Sequence, residues 1–483
     1  MATRLEPQSP EWWLARLAAR LDHNRHAMQV YQDYYDGRHP LAFASSKFRE
    51  TFGNRFVAFA NNFCPLVVHA VAERMTVTGF RFGGTKDQPA DADAWRIWQA
   101  NQLDAESKLA LVQSLIKGIS YAIVSPFRNE WPFPDVPLIT VEDGMHVVLE
   151  GAAGNRRRRR AALKRWQDDD GHLLATLYLP DAIYKYRSAS PWRGSGSVRW
   201  EERQDTGDGA WPLVNALGVV PVIGFPNRPQ IDGSYESELV EVIPQQDAIN
   251  KLEMDLLVAS EFAAYRQRYI LNLDLEIDPE TGQVRQPFSN MGVDRMLILG
   301  TPDRSQDPNV PEPKVGEFEV SDLGQYIRAS DHNIETLAIK SRTPPHYFLG
   351  QSGTFPSGES IKSAETGLVS KAKDKMLYDG EAWEEVMRTA FRALGDATKA
   401  AVIDAEAIWA DPESRTEAEH VDALLKLKSL DVPTEQLWED AGYSPAQIAR
   451  FRRIGGRAAL MALPAASDGI RVRLGNGNGT VTA

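Results

Sequence analysis

SRTPPHYFLGQSGTFPSGESIKSAE, residues 341–365, joins two helical patterns, and its reading decides how the rest of the chain is organised. Pro344 and Pro345 disfavour helical geometry at Thr343 and stop the helix that precedes them. The glycines and serines beyond let the chain project, and Ser357 to Glu359 restart a helix. Upstream, Leu323, Ile327, Ile334 and Leu337 recur at helical spacing through residues 321–342. Downstream, a helical pattern fills residues 358–394, roughly 50 Å if unbroken, with Gly367 and Gly380 as possible points of bending.

Further upstream, residues 237–270 are strongly helical, with Ile249, Leu252, Leu256 and Ala259 in one row and Pro244 marking a kink or a restart. Between the two helices lie YILNLDLEI, the turn DPETG, QVRQPF, DRMLILG and a Pro-rich run, residues 301–315. This predicts a small β tip carried on an antiparallel helical stalk. From Glu236 to Glu261 seven acids stand against Lys251 alone, and Arg266 and Arg268 follow. Acids early and bases late match the helix dipole.

At the N-terminus, Ser9-Pro10 supplies a helix cap and a first-turn proline, Glu11 suits the positive end, and Gly37 closes the pattern. Leu14, Leu17, Leu21, Met28, Tyr31 and Tyr35 form its apolar stripe. Two more helices are predicted over residues 61–75 and 92–117. From about Ser120 the period changes to two, and YAIVSPF, ITVEDGMHVVLE, RAALKRWQDDDGHLLATLYLP, DAIYKYR and SVRWEER read as antiparallel strands. The Pro/Gly-punctuated residues 211–233 mark a boundary. Residues 397–453 read as helical again, and the polar tail 464–483 as disordered. The fold class expected is α+β, mainly helical.

The 483 residues suffice for two to four domains with their own cores. Apolar residues at 43% and charged residues at 25% are ordinary for a folded chain. A net charge of −12 opposes tight general binding of nucleic acid unless bases are locally concentrated. The single cysteine, Cys64, excludes an internal disulfide and a multi-Cys zinc site. No apolar leader and no run of about 18 apolar residues occurs, so neither signal peptide nor membrane span is expected.

Chemistry-bearing motifs are scarce. The dipeptide Gly-Lys is absent, which removes the phosphate-binding loop of P-loop proteins. The glycine-rich residues 350–358 lack that lysine. His23 and His26 are the only neighbouring histidines and read as solvated helix positions, so no metal site and no cofactor is expected. No nucleophile elbow and no recognisable carboxylate pair suggests catalysis. The one strong basic run, NRRRRRAALKR at residues 155–165, reads as an exposed hairpin arm pairing with acids on a neighbouring surface, or as a nucleic-acid contact. Trp12, Trp13, Trp95 and Trp98 read as core.

Several segments carry a resemblance in a fixed order. They are LVVHAVAERMTVTGFRF (66–82), AWRIWQANQLDAES (94–107), ITVEDG with RRAALKRWQDDDGHLLATLYLPDAIYKYR (139–187), GVVPVIGFPNRP (218–229) and VIPQQDAINKLEMDLLVASEFAAYRQRYI (242–270). Together they resemble the portal proteins of tailed bacteriophages, the type common in phages of actinobacteria, over about residues 10–460. The resemblance implies a non-enzymatic ring, usually twelve-fold, at one capsid vertex, through which a packaging ATPase (the terminase) drives double-stranded DNA and through which DNA leaves. It implies an architecture of wing (1–235 and the spine helix 358–396), stem (236–270 and 319–342), clip (271–318), tunnel loop (343–357) and crown (397–463). Channel contacts would come from Lys251, Arg342, His346, Gln351, Ser352, Thr354 and Lys362. Motor and adaptor docking would fall on Asp274, Glu276, Arg285 and Arg295 of the clip. The implied partners are further copies of the chain, DNA, the terminase, the major capsid protein and scaffold, and head-to-tail adaptors. The protein would be made in the host cytoplasm and end in the virion. The residues themselves leave two alternatives, a nucleic-acid-processing enzyme of the packaging machinery and another structural adaptor ring.

Overall fold

A computed structural model describes residues 5–40, 60–83, 90–126, 131–194, 198–203, 211–264, 268–271, 311, 314–317, 322–348, 358–413, 417–443 and 445–462. Helices predominate and the strands pair antiparallel, an α+β fold. The chain divides into two compact units, one of residues 1–25, 71–236 and 369–483 and another of residues 26–70 and 237–368.

In the first unit, helix α1 (Pro10–Tyr35) begins where the sequence places it, with the Ser9 hydroxyl accepting from the Trp12 amide at 3.2 Å. Strands β4 (Val147–Ala152), β5 (Asn155–Gln167), β6 (Leu173–Tyr178), β7 (Ala182–Ser188) and β8 (Trp200–Glu202) form an antiparallel sheet in that order, with β9 (Leu213–Val214) also on β7. Trp13, Leu14, Leu17 and Leu21 of α1 pack on Val148, Ala161, Leu163, Ala175 and Leu177 of this sheet. The period-2 alternation of β5 and β6 puts those residues on one face.

A second core gathers around β1 (Val77–Arg81), helices α3 (Ala92–Ala100) and α4 (Leu103–Lys117), and the sheet β10–β2–β3 (Val222–Pro226, Ile119–Ser125, Leu138–Asp143). Trp98, Trp383, Phe225, Phe80 and Phe391 are its largest fully buried members. The single helix predicted over residues 92–117 is two. Gln102 takes a left-handed φ of 53°, and the Asn101 side chain donates to Ile97 and Pro137 carbonyls while accepting from the Ile139 amide at 2.8 Å. Asn101 thus ties the break to β3.

Helix α7 (Gly358–Ala393) runs unbroken through Gly367 and Gly380 and contributes to both units. Beyond it the all-helical expectation for residues 397–453 is corrected. After one turn, α8 (Ala397–Ala400), strand β13 (Glu406–Trp409) pairs antiparallel with β1, and only then follow α9 (Glu417–Ser429), α10 (Thr434–Asp440) and α11 (Pro445–Ala462). Burial of Ala405 and Ala407 against that core outweighs the helix propensity of alanine.

On α7 the Asp379 carboxyl is buried near Lys375, and burial pushes its pKa up to about 7 from the usual 3.8. The folded state therefore holds a proton that the unfolded chain has lost. That contribution to stability is complete below about pH 4 and vanishes as pH rises through about 7. Asp379→Asn should raise unfolding free energy at pH 8 by the order of 1–3 kcal/mol and flatten its decline between pH 5 and 8, measured by urea titration.

In the second unit, α2 (Cys64–Ala72) and the end of α1 lie with α5 (Ile243–Ala264) and α6 (Gly324–Ser341). Cys64 is buried. Pro244 occupies the first turn of α5, so the helix starts there and does not kink.

Candidate functional site

Helices α5 and α6 pack against each other, and the strand pair β11 (Arg268–Leu271) and β12 (Lys314–Glu317) joins their ends antiparallel. The helices therefore run in opposite directions. Ser330 of α6 donates to Glu253 of α5 at 2.9 Å, which fixes their register. Lys251 is half-buried and forms an ion pair with Asp255, one turn on. From that register, ten residues of helical rise put Arg342 roughly 15 Å farther along the pair than Lys251.

The other acids of the α5 region serve mostly in packing. Glu238 is buried, Asp255 faces Lys251, and Asp247 accepts from the Tyr34 hydroxyl at 2.9 Å. Burial raises the Asp247 carboxyl above its usual range and Tyr34 likewise, while it lowers the His39 imidazole. His39 accepts from Asn250 Nδ2 at 2.8 Å through Nδ1 and donates through Nε2 to the Tyr34 carbonyl at 3.0 Å. This latch between α1 and α5 was not legible in the sequence, because its partners lie more than 200 positions apart. Glu241 remains exposed just before α5.

The helix entering residues 341–365 ends at Ser341, ahead of the prolines. Arg342 caps α6 in a left-handed conformation, φ 53°, its N–H reaching the Ala338 and Ile339 carbonyls. A non-glycine residue there costs of the order of 1 kcal/mol, so the surroundings must hold it. They do: Thr343 is 2% exposed with its amide on Ala338 O at 3.0 Å, and Pro344 is buried and extended. A 3-10 turn follows, Pro345–Tyr347. Phe348 then packs edge-on to Phe63 at 5.6 Å, and the Tyr347 hydroxyl donates to Glu365 of α7 at 3.3 Å.

The Arg342 side chain is exposed and has no ion pair among the described residues; His346 is half-buried and edge-on to Tyr347 at 4.8 Å. Lys362 is exposed on the first turns of α7. Lys251, Arg342, His346 and Lys362 thus belong to one unit. Gln351, Ser352 and Thr354, and Asp274, Glu276, Arg285 and Arg295, lie outside the described residues, as does the tail 464–483. Among the described residues no cluster of His, Cys, Asp and Glu could hold a metal ion, and no helix is long and apolar enough to cross a membrane.

The family model for phage portal protein, SPP1 Gp6-like, matches residues 14–442. The portal protein of Mycobacterium phage D29 is 31% identical over 415 residues, covering 82% of this chain and 79% of the relative. That of Mycobacterium phage L5 is 30% identical over the same shares. A structural component of the phage virion is thereby defined. The chain belongs to the phage portal protein family, whose members form the ring at one capsid vertex through which double-stranded DNA is packaged and ejected.

Proposed function

We propose that this portal protein closes into a twelve-fold ring whose channel is walled by α5 and α6, with residues 343–357 as the tunnel loop at the narrowest point. The antiparallel α5–α6 pair, capped by a strand pair at one end and breaking at Arg342 on the other, is the observation that carries this reading. In it, residues 236–270 and 319–342 are the stem and residues 271–318 the clip, where Asp274, Glu276, Arg285 and Arg295 meet the terminase and later the adaptors. Residues 1–235 and 358–396 form the wing and 397–463 the crown; the change of unit after Glu236 supports the first of these boundaries. Capsid protein and scaffold would surround the wing. The chain supplies no catalysis, and the terminase supplies the energy.

A channel must guide a polyanion without holding it, because each neutralised phosphate releases counterions and adds affinity that resists sliding. Lys251 is spent on Asp255, and the exposed charges of this unit include Glu241 before α5, Arg342 at the end of α6 and Lys362 beyond. Glu241→Lys adds a cation per subunit and should slow packaging at low salt, with relief as salt rises. Arg342→Glu should also impair packaging while rings still form. Packaging rates and salt dependence unchanged in both variants would remove these positions from the channel.

A further inference from the structure

The basic run of β5 is only half explained by the fold. β6 pairs with Ala162–Gln167 alone, so residues 155–160 continue past the sheet as a two-stranded ribbon with β4. The register shifts at Gly151, where a Cβ would lie 2.8 Å from the Arg156 carbonyl oxygen, so the bend requires glycine. Three of the five arginines brace the ribbon. Arg156 donates to Gln230 O at 2.5 Å, Arg159 pairs with Glu385 at 2.7 Å, and Arg160 reaches Gln8 at 3.0 Å and lies over Trp13. Arg157 and Arg158 are exposed, and their side chains have no partner among the described residues.

The face of the same sheet turned to α1 shows the complement. Arg165, Ala175, Tyr186 and Glu202 stand in one row across β5, β6, β7 and β8. Above the Tyr186 end of that row, between the sheet and α1, is a groove of about 580 Å³. Trp200 and Trp211 form one wall and Glu11, Ala15 and Ala19 of α1 the other. Tyr186 is 5% exposed, and its hydroxyl is buried with no hydrogen-bond partner among the described residues. An unmet phenolic oxygen among indoles and carboxylates suits a guanidinium, which donates, stacks on aromatic faces and forks to carboxylates.

We propose that Arg157 and Arg158 of one subunit enter the Tyr186 groove of the next copy around the ring. The inference rests on the ring reading. A ring needs two different, mutually complementary surfaces on each subunit, and here a cationic ribbon runs out beyond the sheet along β4–β5, while the sheet face turned to α1 carries an aromatic groove lined by Glu11, Glu202 and the Asp22–Arg165 ion pair.

Two measurements on the full-length protein test it. Arg158→Cys protein and Ala19→Cys protein, co-assembled and oxidised, should give a covalent heterodimer on non-reducing gels; native Cys64 is buried and does not compete. Separately, Arg157→Glu/Arg158→Glu should raise the concentration for half-assembly about tenfold, and adding Glu11→Arg should restore much of it. Wild-type rings seen by electron microscopy, with no heterodimer and unchanged assembly of the charge-reversed protein, would overturn the interface and leave the ring intact. Reversal that spares assembly but lowers packaging would overturn it in favour of a DNA contact. Absence of rings in the wild type would overturn the ring reading itself, and this interface with it.

Discussion

Trp383→Ala should lower the unfolding free energy by about 3–5 kcal/mol, the range for truncating a fully buried large aromatic residue. Trp383 on α7 meets Trp98 of α3 edge-on at 5.0 Å and Phe225 of β10 at 4.6 Å, with Val386, Met387 and Ala390 buried in the same core. The indole is therefore the common contact of a helix, a strand and the long α7. Removing it leaves a cavity that three separate elements cannot all move to fill. Trp95, stacked on Trp98 from a partly exposed position, should lose less than half as much on the same change. Urea unfolding of the two variants makes the comparison. Equal losses would show that the α3–α7–β10 contact is not the centre of this unit.

Arg81→Ala should cost a similar amount, about 3–5 kcal/mol, by a different mechanism. Arg81 ends β1 with its side chain 13% exposed, pairs with Glu439 of α10 and Glu406 of β13, and donates to Gln436 at 3.3 Å. Glu439 is itself 8% exposed and, among the described residues, accepts one further bond, from the Ala90 amide at 3.2 Å. Deleting the guanidinium leaves that carboxylate buried and poorly compensated, and a removed partner costs more than a pair is worth. The strain should be relieved by release of α10, so limited proteolysis between residues 413 and 445 should accelerate along with the loss of stability. Arg81→Lys should recover part of both. Unchanged proteolysis would mean that α10 is held mainly by other contacts.

What the sequence disclosed follows from how local each signal is. Ser9-Pro10 caps α1 through contacts within one turn, and the period-2 pattern of residues 147–188 needs only neighbouring positions to announce an antiparallel sheet. Helix α7 was equally plain, its two interior glycines, Gly367 and Gly380, too sparse to break it. The misses depended on distance. Asn101 splits a helix because it meets Pro137 and Ile139, and residues 406–409 become a strand because β1 is waiting some 330 positions away. Five consecutive arginines looked like one patch, yet three are absorbed by Gln230, Glu385 and Gln8, and two are left outward. The acids before and along α5 read as a match to the helix dipole, whereas Glu238, Asp247 and Asp255 are used up inside the unit. The DNA-conducting role came from the ordered resemblance alone, since a channel is a property of many copies and leaves no catalytic motif in one.

Conduction of DNA through a portal depends on identical copies enclosing a passage, and electron microscopy of the purified full-length protein addresses that most directly. Closed rings, most of them twelve-fold, with an open central hole wide enough for duplex DNA are the predicted result. Single subunits at all concentrations, or closed assemblies with no continuous hole along their axis, would contradict it.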